Sequence, residues 1–141
     1  MLIYMCGIIG VISANAQQKI INGLINMQYR GYDSCGMAYF LDESIKINKT
    51  IESPQMLKTE DSFNLGIGHT RWATHGKVND INAHPILSFD KRLAIVHNGV
   101  IENSNEIKNE YLKDVVFITE TDTEVLINLI AFFFINNYLT D

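Results

Sequence analysis

The stretch MCGIIGVI, residues 5–12, decides the fold of this chain. Residues Cys6–Ile12 are small or β-branched and almost all apolar, which predicts a strand covered on both faces. A cysteine in such a strand is usually a small buried hydrophobic residue. Met5 suggests a different interpretation, because initiation at Met5 followed by loss of that methionine would leave Cys6 at the amino terminus.

Hydrophobic periodicity predicts the elements that follow this strand. Helices are predicted over Ala16–Tyr29, Pro54–Asp61 (weakly) and Ser104–Lys113. A last helix is predicted for the apolar run Val125–Ile135, because Thr121 and Glu124 precede it in the order of a capping box. Strands are predicted over Met37–Leu41, Ser44–Lys49, Leu65–Trp72 and Arg92–His97. The class is therefore α/β or α+β with covered sheets.

The composition is that of an ordinary globular chain of one-domain length, with 141 residues, 47% hydrophobic and 19% charged. A net charge of −5 gives no reason to expect nucleic acid or an anionic membrane as a partner. The apolar run near the carboxyl end is too short for a bilayer span of about twenty residues, and the amino-terminal run lacks the basic segment of a secretory signal. Two cysteines make no disulfide framework, so a reducing cytoplasm is expected.

Cys6 at the amino terminus would carry its own general base. A free α-amine has a pKa of about 7.7–8.0 and accepts the thiol proton at neutral pH, so no histidine partner is needed. Gly7 leaves room for a substrate beside the sulfur. If the preceding residues remain attached, the amine is an amide and the base is lost.

Two further segments carry candidate binding groups. In HTRWATHG, Arg71 has the planar fork that holds a carboxylate, and Trp72 would form an apolar wall or lid. The alternative is a surface arginine and a core tryptophan. In TDTE, Asp122 would bind a substrate ammonium, although an acidic residue there also suits a helix N-terminus. Together the two clamps describe an α-amino acid.

The segment VHNG ends a strand and turns sharply. The side-chain amide of Asn98 and the backbone N–H of Gly99 would form an oxyanion hole. A plain tight turn is the alternative, since Asn-Gly adopts the left-handed conformation easily. The four histidines have no zinc-type spacing with either cysteine, and no phosphate-cradling glycine loop is present, so neither a metal site nor a cofactor is predicted.

Six segments, in order, closely resemble the amino-terminal glutaminase domain of the glutamine–fructose-6-phosphate aminotransferases. They are MCGIIGVI, YRGYDSCGMA, GIGHTRWATHG, NAHPI, VHNGVIEN and TETDTEV, and they extend from Met5 to about Ile130. These enzymes are class II glutamine amidotransferases. The resemblance implies an α+β fold, the αββα four-layer sandwich of the N-terminal-nucleophile hydrolases, with L-glutamine as the substrate.

The resemblance also implies roles for matched residues at the reacting centre. Cys6 would form a γ-glutamyl thioester, with its amine shuttling the proton. Arg71 would hold the carboxylate of glutamine and Asp122 its amino group. Asn98 and Gly99 would make the oxyanion hole.

Other matched residues are implied to enclose the substrate. Trp72 would lie on the loop that closes over glutamine and guards ammonia. Thr74 and His75 would shape the pocket, and His84 would support that loop. Closing such a site excludes water and commits the substrate.

The chain departs from the family in three places. Residues 1–5 form an N-terminal extension that is expected to be removed or absent in the active protein. Cys35 stands where the family usually has alanine and is expected to pack in the core. The family's domain continues past residue 141, so residues 6–141 are expected to form a partial glutamine amidotransferase domain, with missing strands and an exposed Phe132–Phe134.

The sequence therefore predicts hydrolysis of the glutamine amide, with the ammonia destined for fructose 6-phosphate, although the family's sugar-isomerase domains are absent from this chain. One alternative is a non-catalytic fragment, either truncated or one piece of a split protein. A separate partner chain would then carry the remaining strands and the sugar-isomerase domains. A weaker alternative is the glutaminase of another class II enzyme, such as an amidophosphoribosyltransferase.

Overall fold

The computed structural model of the protein describes residues 5–73 and 76–136. Within these ranges the strands are β1 (Gly7–Ile12), β2 (Ser34–Leu41), β3 (Ser44–Thr50), β4 (Leu65–Arg71), β5 (Ile86–Leu87) and β6 (Ala94–Ile95). The α-helices are α1 (Ala16–Met27), α2 (Ser104–Tyr111) and α3 (Asp122–Ile135), with 3₁₀ turns at Gln28–Arg30 and Pro54–Leu57. None of these described helices is long and apolar enough to cross a membrane.

The larger sheet is antiparallel, with strand order β1-β4-β2-β3. Gly7 pairs with Thr70 across β1 and β4, and Ser34 pairs with Arg71 across β2 and β4. Because β1 begins where its antiparallel neighbour β4 ends, this register brings Cys6 beside the last residues of β4. The pairing of strands thus joins two segments that are far apart in the sequence.

Helix α1 covers one face of this sheet. Its Ile20 and Leu24 are fully buried, and each such side chain contributes about 1.5–3 kcal/mol when removed from water. They lie over Gly68 of β4, where an added Cβ would be 2.6 Å from Ile20 Cγ2. The absence of a side chain at Gly68 therefore allows the helix to approach the centre of the sheet closely.

The prediction that β1 is covered on both faces is wrong. Its side chains alternate, as those of a strand must. Ile9 and Val11 pack on the core under α1, whereas Ile8 and Ile12 point the other way and are 46% and 84% exposed. An apolar composition made the strand recognisable but did not specify a second covering layer.

The opposite face of the larger sheet is contacted by the segment that leads into β5. A Cβ added to Gly36 of β2 would be 2.3 Å from the carbonyl oxygen of His84, just before β5. Strands β5 and β6 form a small antiparallel sheet that pairs Ile86 with Ile95, and α3 packs against both strands. The layers follow the predicted αββα order, with only two strands in the second sheet of the described chain.

Most predicted elements are confirmed with small differences at their ends, but Pro54–Asp61 is not a helix. Only the 3₁₀ turn Pro54–Leu57 forms there. The side-chain amide of Gln17 donates to the carbonyl oxygens of Thr59 and Asp61, both at 3.1 Å, and accepts from the Thr59 N–H at 2.8 Å. The backbone at Thr59 and Asp61 therefore bonds to a side chain of α1 and makes no helical hydrogen bonds.

The predicted strand Arg92–His97 is also largely wrong, since only Ala94–Ile95 pairs. Before it, the chain makes a tight turn with Lys91 at a left-handed φ of 59° and an Asp90–Arg92 ion pair at 2.6 Å. After it, His97 leaves the sheet and contacts Thr123 of α3, with 3.3 Å between Nδ1 and Oγ1.

Helix α3 begins as predicted. Thr121 Oγ1 accepts a hydrogen bond from the Glu124 N–H at 3.3 Å. Glu124 does not reach back to complete a capping box, because its carboxylate accepts from the N–H groups of Ile118 and Thr119 at 2.8 and 2.6 Å. The glutamate therefore fixes the loop before the helix.

Cys35 packs in the core as predicted, and burial raises the pKa of its thiol to about 12. The predicted exposure of the phenylalanine run is only partly correct. Phe134 is exposed, but Phe132 and Phe133 are half-buried and their rings contact Tyr111 of α2. Helix α2 therefore covers part of the apolar surface of α3.

Candidate active site

Cys6 lies directly before β1, next to the end of β4. The backbone N–H of Trp72 donates to its Sγ at 3.1 Å, and the backbone N–H of Gly7 donates to Thr70 Oγ1 at 2.9 Å. These contacts fix the sulfur at the edge of the sheet. Cys6 is only partly buried, so it is not the buried hydrophobic residue of the alternative interpretation.

Asn98 and Gly99 lie in the turn after β6 and line the same cavity as Cys6. Asn98 Nδ2 donates one N–H to the carbonyl oxygen of Cys6 at 3.2 Å, which leaves its second N–H for another acceptor. A Cβ at Gly99 would be 2.7 Å from His97 Nε2, so any larger residue would require the His97 ring to move. The chain does turn here, and the turn brings an amide donor to the cysteine.

The cavity around Cys6 has a volume of about 230 Å³. It is lined by Met5, Cys6, His69, Arg71, Trp72, His84, His97, Asn98, Gly99, Val100, Thr121, Asp122 and Thr123. Of the residues predicted for the site, Thr74 and His75 lie outside the described residues, and the others all line this cavity. A larger and more open depression of about 840 Å³ lies beside α1, but its lining contains no cysteine or histidine.

Arg71 ends β4 and is almost wholly buried, so the surface interpretation is wrong. Its Nη1 donates to the carbonyl oxygen of Lys77 at 3.4 Å. Trp72 is 38% exposed and is therefore not a core residue. A guanidinium presents its donors in a planar fork that matches a carboxylate, so a buried arginine next to the Trp72 indole suits a small anion with an apolar stem.

Asp122 is the first residue of α3. Its Oδ2 accepts a hydrogen bond from the Ile101 N–H at 2.6 Å, which ties the loop after Gly99 to the helix. The prediction that Asp122 lies at a helix N-terminus is therefore confirmed. Asp122 also lines the cavity, where an acidic residue suits a bound cation.

His84 lies in a stack with His69. The ring centroids are 4.7 Å apart, and His84 Nε2 lies 2.9 Å from Thr123 Oγ1. Burial, followed by the neighbouring His69 and Arg71, lowers the pKa of His84 to about 2. Burial likewise lowers the pKa of His69 to about 4. Both rings are therefore neutral near pH 7.

Two carboxylates hold the chain on either side of the segment that was predicted to cover the substrate. The N–H of Ala73 donates to Asp33 Oδ2, and the N–H of Lys77 donates to Glu120 Oε2 at 2.8 Å. Asn82 joins the second anchor, because its Nδ2 donates to Glu120 Oε2 at 2.9 Å. The two anchors thus fix the backbone at Ala73, two residues after β4, and at Lys77.

Sequence reasoning missed Asp33 and His69. The two-residue alternation of β4 places His69 on the same face as Arg71, and that signal was available. Asp33 lies in a matched segment, but its bond to Ala73 spans 40 positions. No group of three or more histidine, cysteine, aspartate or glutamate residues suited to a metal ion occurs within residues 5–73 and 76–136.

Comparison with known sequences gives matches over most of this chain. Residues 54–133 match the family described as glutamine amidotransferase domain. The chain is 52% identical over 131 residues to the glutamine–fructose-6-phosphate aminotransferase (isomerizing) of Oceanobacillus iheyensis, covering 89% of this chain and 22% of that protein. It is 47% identical over 135 residues to the enzyme of the same name from Staphylococcus epidermidis, covering 92% and 22%.

Among solved structures, the chain resembles the glutamine phosphoribosylpyrophosphate amidotransferase of B. subtilis, solved with ADP and GMP. The TM-score is 0.71 at 26% identity, covering 90% of this chain and 29% of that one. The chain thus spans less than a third of each of these relatives. The layered fold agrees with this likeness.

Proposed function

We propose that this chain, which belongs to the glutamine amidotransferase domain family, hydrolyses the side-chain amide of L-glutamine with Cys6 as the nucleophile. One observation carries the proposal. A single cavity is lined by Cys6, by Asn98, by the buried Arg71 and by Asp122. This set provides a nucleophile, an oxyanion donor and opposite charges for the two ends of an α-amino acid.

The reaction follows from the chemistry of these groups. The Cys6 thiol gives its proton to a base, and the sulfur attacks the amide carbon of glutamine. The negative oxygen that develops receives hydrogen bonds from the second N–H of Asn98 Nδ2 and from Gly99 N–H. The C–N bond then breaks with proton transfer to nitrogen, releasing ammonia. Water hydrolyses the thioester to glutamate and restores the thiol.

The base in this proposal is the α-amine of Cys6 itself, which requires a chain that begins at Cys6. Met5 still precedes it here and lines the cavity. The Met5 N–H donates to the Arg30 carbonyl oxygen at 3.4 Å, and its Sδ lies 3.3 Å from Arg30 Nη2. Removal of residues 1–5 would therefore both free the amine and open the cavity.

Arg71 and Asp122 select the substrate in this proposal. The guanidinium holds the α-carboxylate of glutamine, and the Asp122 carboxylate holds the α-ammonium. Trp72 covers the aliphatic stem, and His84 supports the site through Thr123. Thr74 and His75 are proposed to complete the pocket.

The ammonia is proposed to pass to fructose 6-phosphate. Relatives with 47–52% identity are aminotransferases of that sugar, whereas the phosphoribosylpyrophosphate enzyme is 26% identical. Because the chain spans 22% of the aminotransferases' length, the sugar site is proposed to lie in further sequence or a partner chain. Two free cysteines favour a reducing cytoplasm as the location.

A labelling experiment tests the proposal. Protein beginning at Met5 is purified, its amino terminus is determined by mass spectrometry, and it is treated with a glutamine-like diazoketone. We expect processed protein to be labelled on Cys6, to release ammonia from glutamine, and to lose both properties in Cys6→Ala. Cys35→Ala, which removes the other thiol, should retain them.

The alternative of a non-catalytic fragment predicts the opposite result. Folded protein that begins at Cys6 would then be neither labelled nor active. That outcome would reject glutamine hydrolysis by this chain, whatever its ancestry.

A further inference from the structure

We propose that His69 is a positioning residue of the oxyanion hole, where its Nε2–H fixes the side-chain amide of Asn98 so that Nδ2 faces the nucleophile. This inference rests on the proposed function and deepens it. His69 is fully buried and lines the cavity. The proposed reaction gives roles to Cys6, to the oxyanion donors and to the residues that bind the two ends of glutamine, but none to His69.

The contact between the two side chains is short and direct. His69 Nε2 lies 2.8 Å from Asn98 Oδ1, and Asn98 Nδ2 lies 3.2 Å from the carbonyl oxygen of Cys6. A chain of hydrogen bonds therefore runs from the histidine through the amide to the cysteine. Asn98 is in a turn, where a side chain has few other constraints.

The orientation of the amide follows from which atoms can donate. The carbonyl oxygen of Cys6 only accepts hydrogen bonds, so the Asn98 atom facing it must be the NH₂ nitrogen. Oδ1 then faces His69, and because this oxygen also only accepts, Nε2 must carry the ring proton. Burial keeps His69 neutral near pH 7, so Nδ1 is bare, and it has no hydrogen-bond partner among the described residues.

The histidine itself is held rigidly. Its backbone is paired on both sides, with Ile8 of β1 and Gly36 of β2. Its ring stacks on His84, which is bonded to Thr123 of α3. A donor held in this way can orient a partner whose own loop would leave it free to rotate.

The first test compares His69→Gln with His69→Leu in the processed protein. Glutamine places an N–H near the position of Nε2, whereas leucine removes the donor at similar volume. We expect His69→Leu to lower kcat for glutamine by about ten- to a hundredfold, because a displaced catalytic group costs rate steeply. The KM should change less than about twofold, and His69→Gln should recover most of the rate.

A double-mutant cycle distinguishes a positioning role of His69 from a general loss of stability. In an Asn98→Ala background, His69→Leu should cost little further rate, because there is no amide left to orient. Asn128→Leu is the matched control, since Asn128 is equally buried and its Oδ1 accepts from the Phe89 N–H at 2.7 Å. It should lower stability without lowering kcat. Equal losses for His69→Leu in both backgrounds, or no recovery with glutamine, would overturn the inference.

The ring proton of His69 gives a readout that does not depend on activity. Two-bond ¹H–¹⁵N spectra of histidine-labelled protein should show a protonated Nε2 and a bare Nδ1, and the opposite tautomer would reject the inference. If processed wild-type protein fails to hydrolyse glutamine, the proposed function is rejected instead. The tautomer still decides whether His69 orients Asn98.

Discussion

The two ends of one face of the larger sheet are different environments. At the carboxyl end of β4, His69 and Arg71 are buried polar side chains, covered by the turn after β6 and the start of α3. At the other end of the same strand, Leu65 is exposed, as are Phe40 of β2 and Ile12 of β1. The polar end is enclosed and hydrogen-bonded, whereas the apolar end remains open.

The polar groups of the proposed reaction and the exposed apolar side chains therefore lie at opposite ends of this face. Every described residue of the candidate site lies at the enclosed end, so the proposed chemistry depends on the contacts made there. The open end carries exposed apolar side chains from three neighbouring strands. Substitutions at the two ends should therefore affect different properties, and the following predictions test that separation from the largest effect to the smallest.

Asn98→Ala should have the largest effect on rate. Loss of one oxyanion donor lowers kcat by about 100- to 1000-fold, and the KM for glutamine should remain similar because the bond forms only in the transition state. Steady-state ammonia release provides the measurement, with the denaturation midpoint as a control for folding. A raised KM with an unchanged kcat would place Asn98 in substrate binding instead.

Acid should destabilise the enclosed end through its two neutral histidines. Their folded-state pKa values, about 4 for His69 and about 2 for His84, lie below the ordinary 6.5. Between about pH 6.5 and 4 the unfolded chain therefore binds protons that the folded chain does not. As the pH is lowered through this window, the unfolding free energy should decrease by about 1.4 kcal/mol per pH unit for each histidine.

Urea denaturation at several pH values measures this slope. Carboxylates also titrate in the window, so His69→Gln provides the matched control, because it lacks the titrating ring. The variant should lose stability less steeply than the wild type as the pH falls from about 6.5 to 4. Identical slopes would show that His69 is already protonated in the folded protein.

Asp122→Asn should have a smaller, substrate-dependent effect. The variant keeps an oxygen for the Ile101 N–H but removes the charge, and a charged hydrogen bond contributes about 1.5–3 kcal/mol. We expect kcat/KM for L-glutamine to fall by about ten- to a hundredfold. With 4-carbamoylbutanoate, which lacks the α-amine, the variant and wild type should be similar. Equal losses on both substrates would assign Asp122 a structural role only.

The smallest effect is expected at the open end. Ile12→Ala should change the unfolding free energy by less than about 0.5 kcal/mol, because Ile12 is 84% exposed. The same substitution at the fully buried Ile20 should cost about 2–5 kcal/mol. Chemical denaturation of both variants measures the contrast. A large loss at Ile12 would show that this face is covered in solution.

Some features could be predicted from sequence because their signals are local. Alternation and helical spacing located β2, β3 and β4 and both long helices, and Thr121 marked the start of α3. Motif resemblance identified Cys6, Arg71 and Asp122, and the structure gathers them in one cavity. By contrast, the Gln17 side chain bonds to the backbone of Thr59 and Asp61 in place of helical hydrogen bonds. No local sequence pattern reveals such a distant partner.

The sequence by itself determined which groups are present: a cysteine after a methionine, an arginine at a strand end, an amide in a turn and a carboxylate at a helix start. Only the tertiary structure decided which of them meet. Asn98 bonds to Cys6 across 92 positions, and His69 reaches Asn98 only because β4 lies between β1 and β2. Periodicity reports on neighbours a few residues apart, whereas strand register and layer packing fix contacts between distant segments.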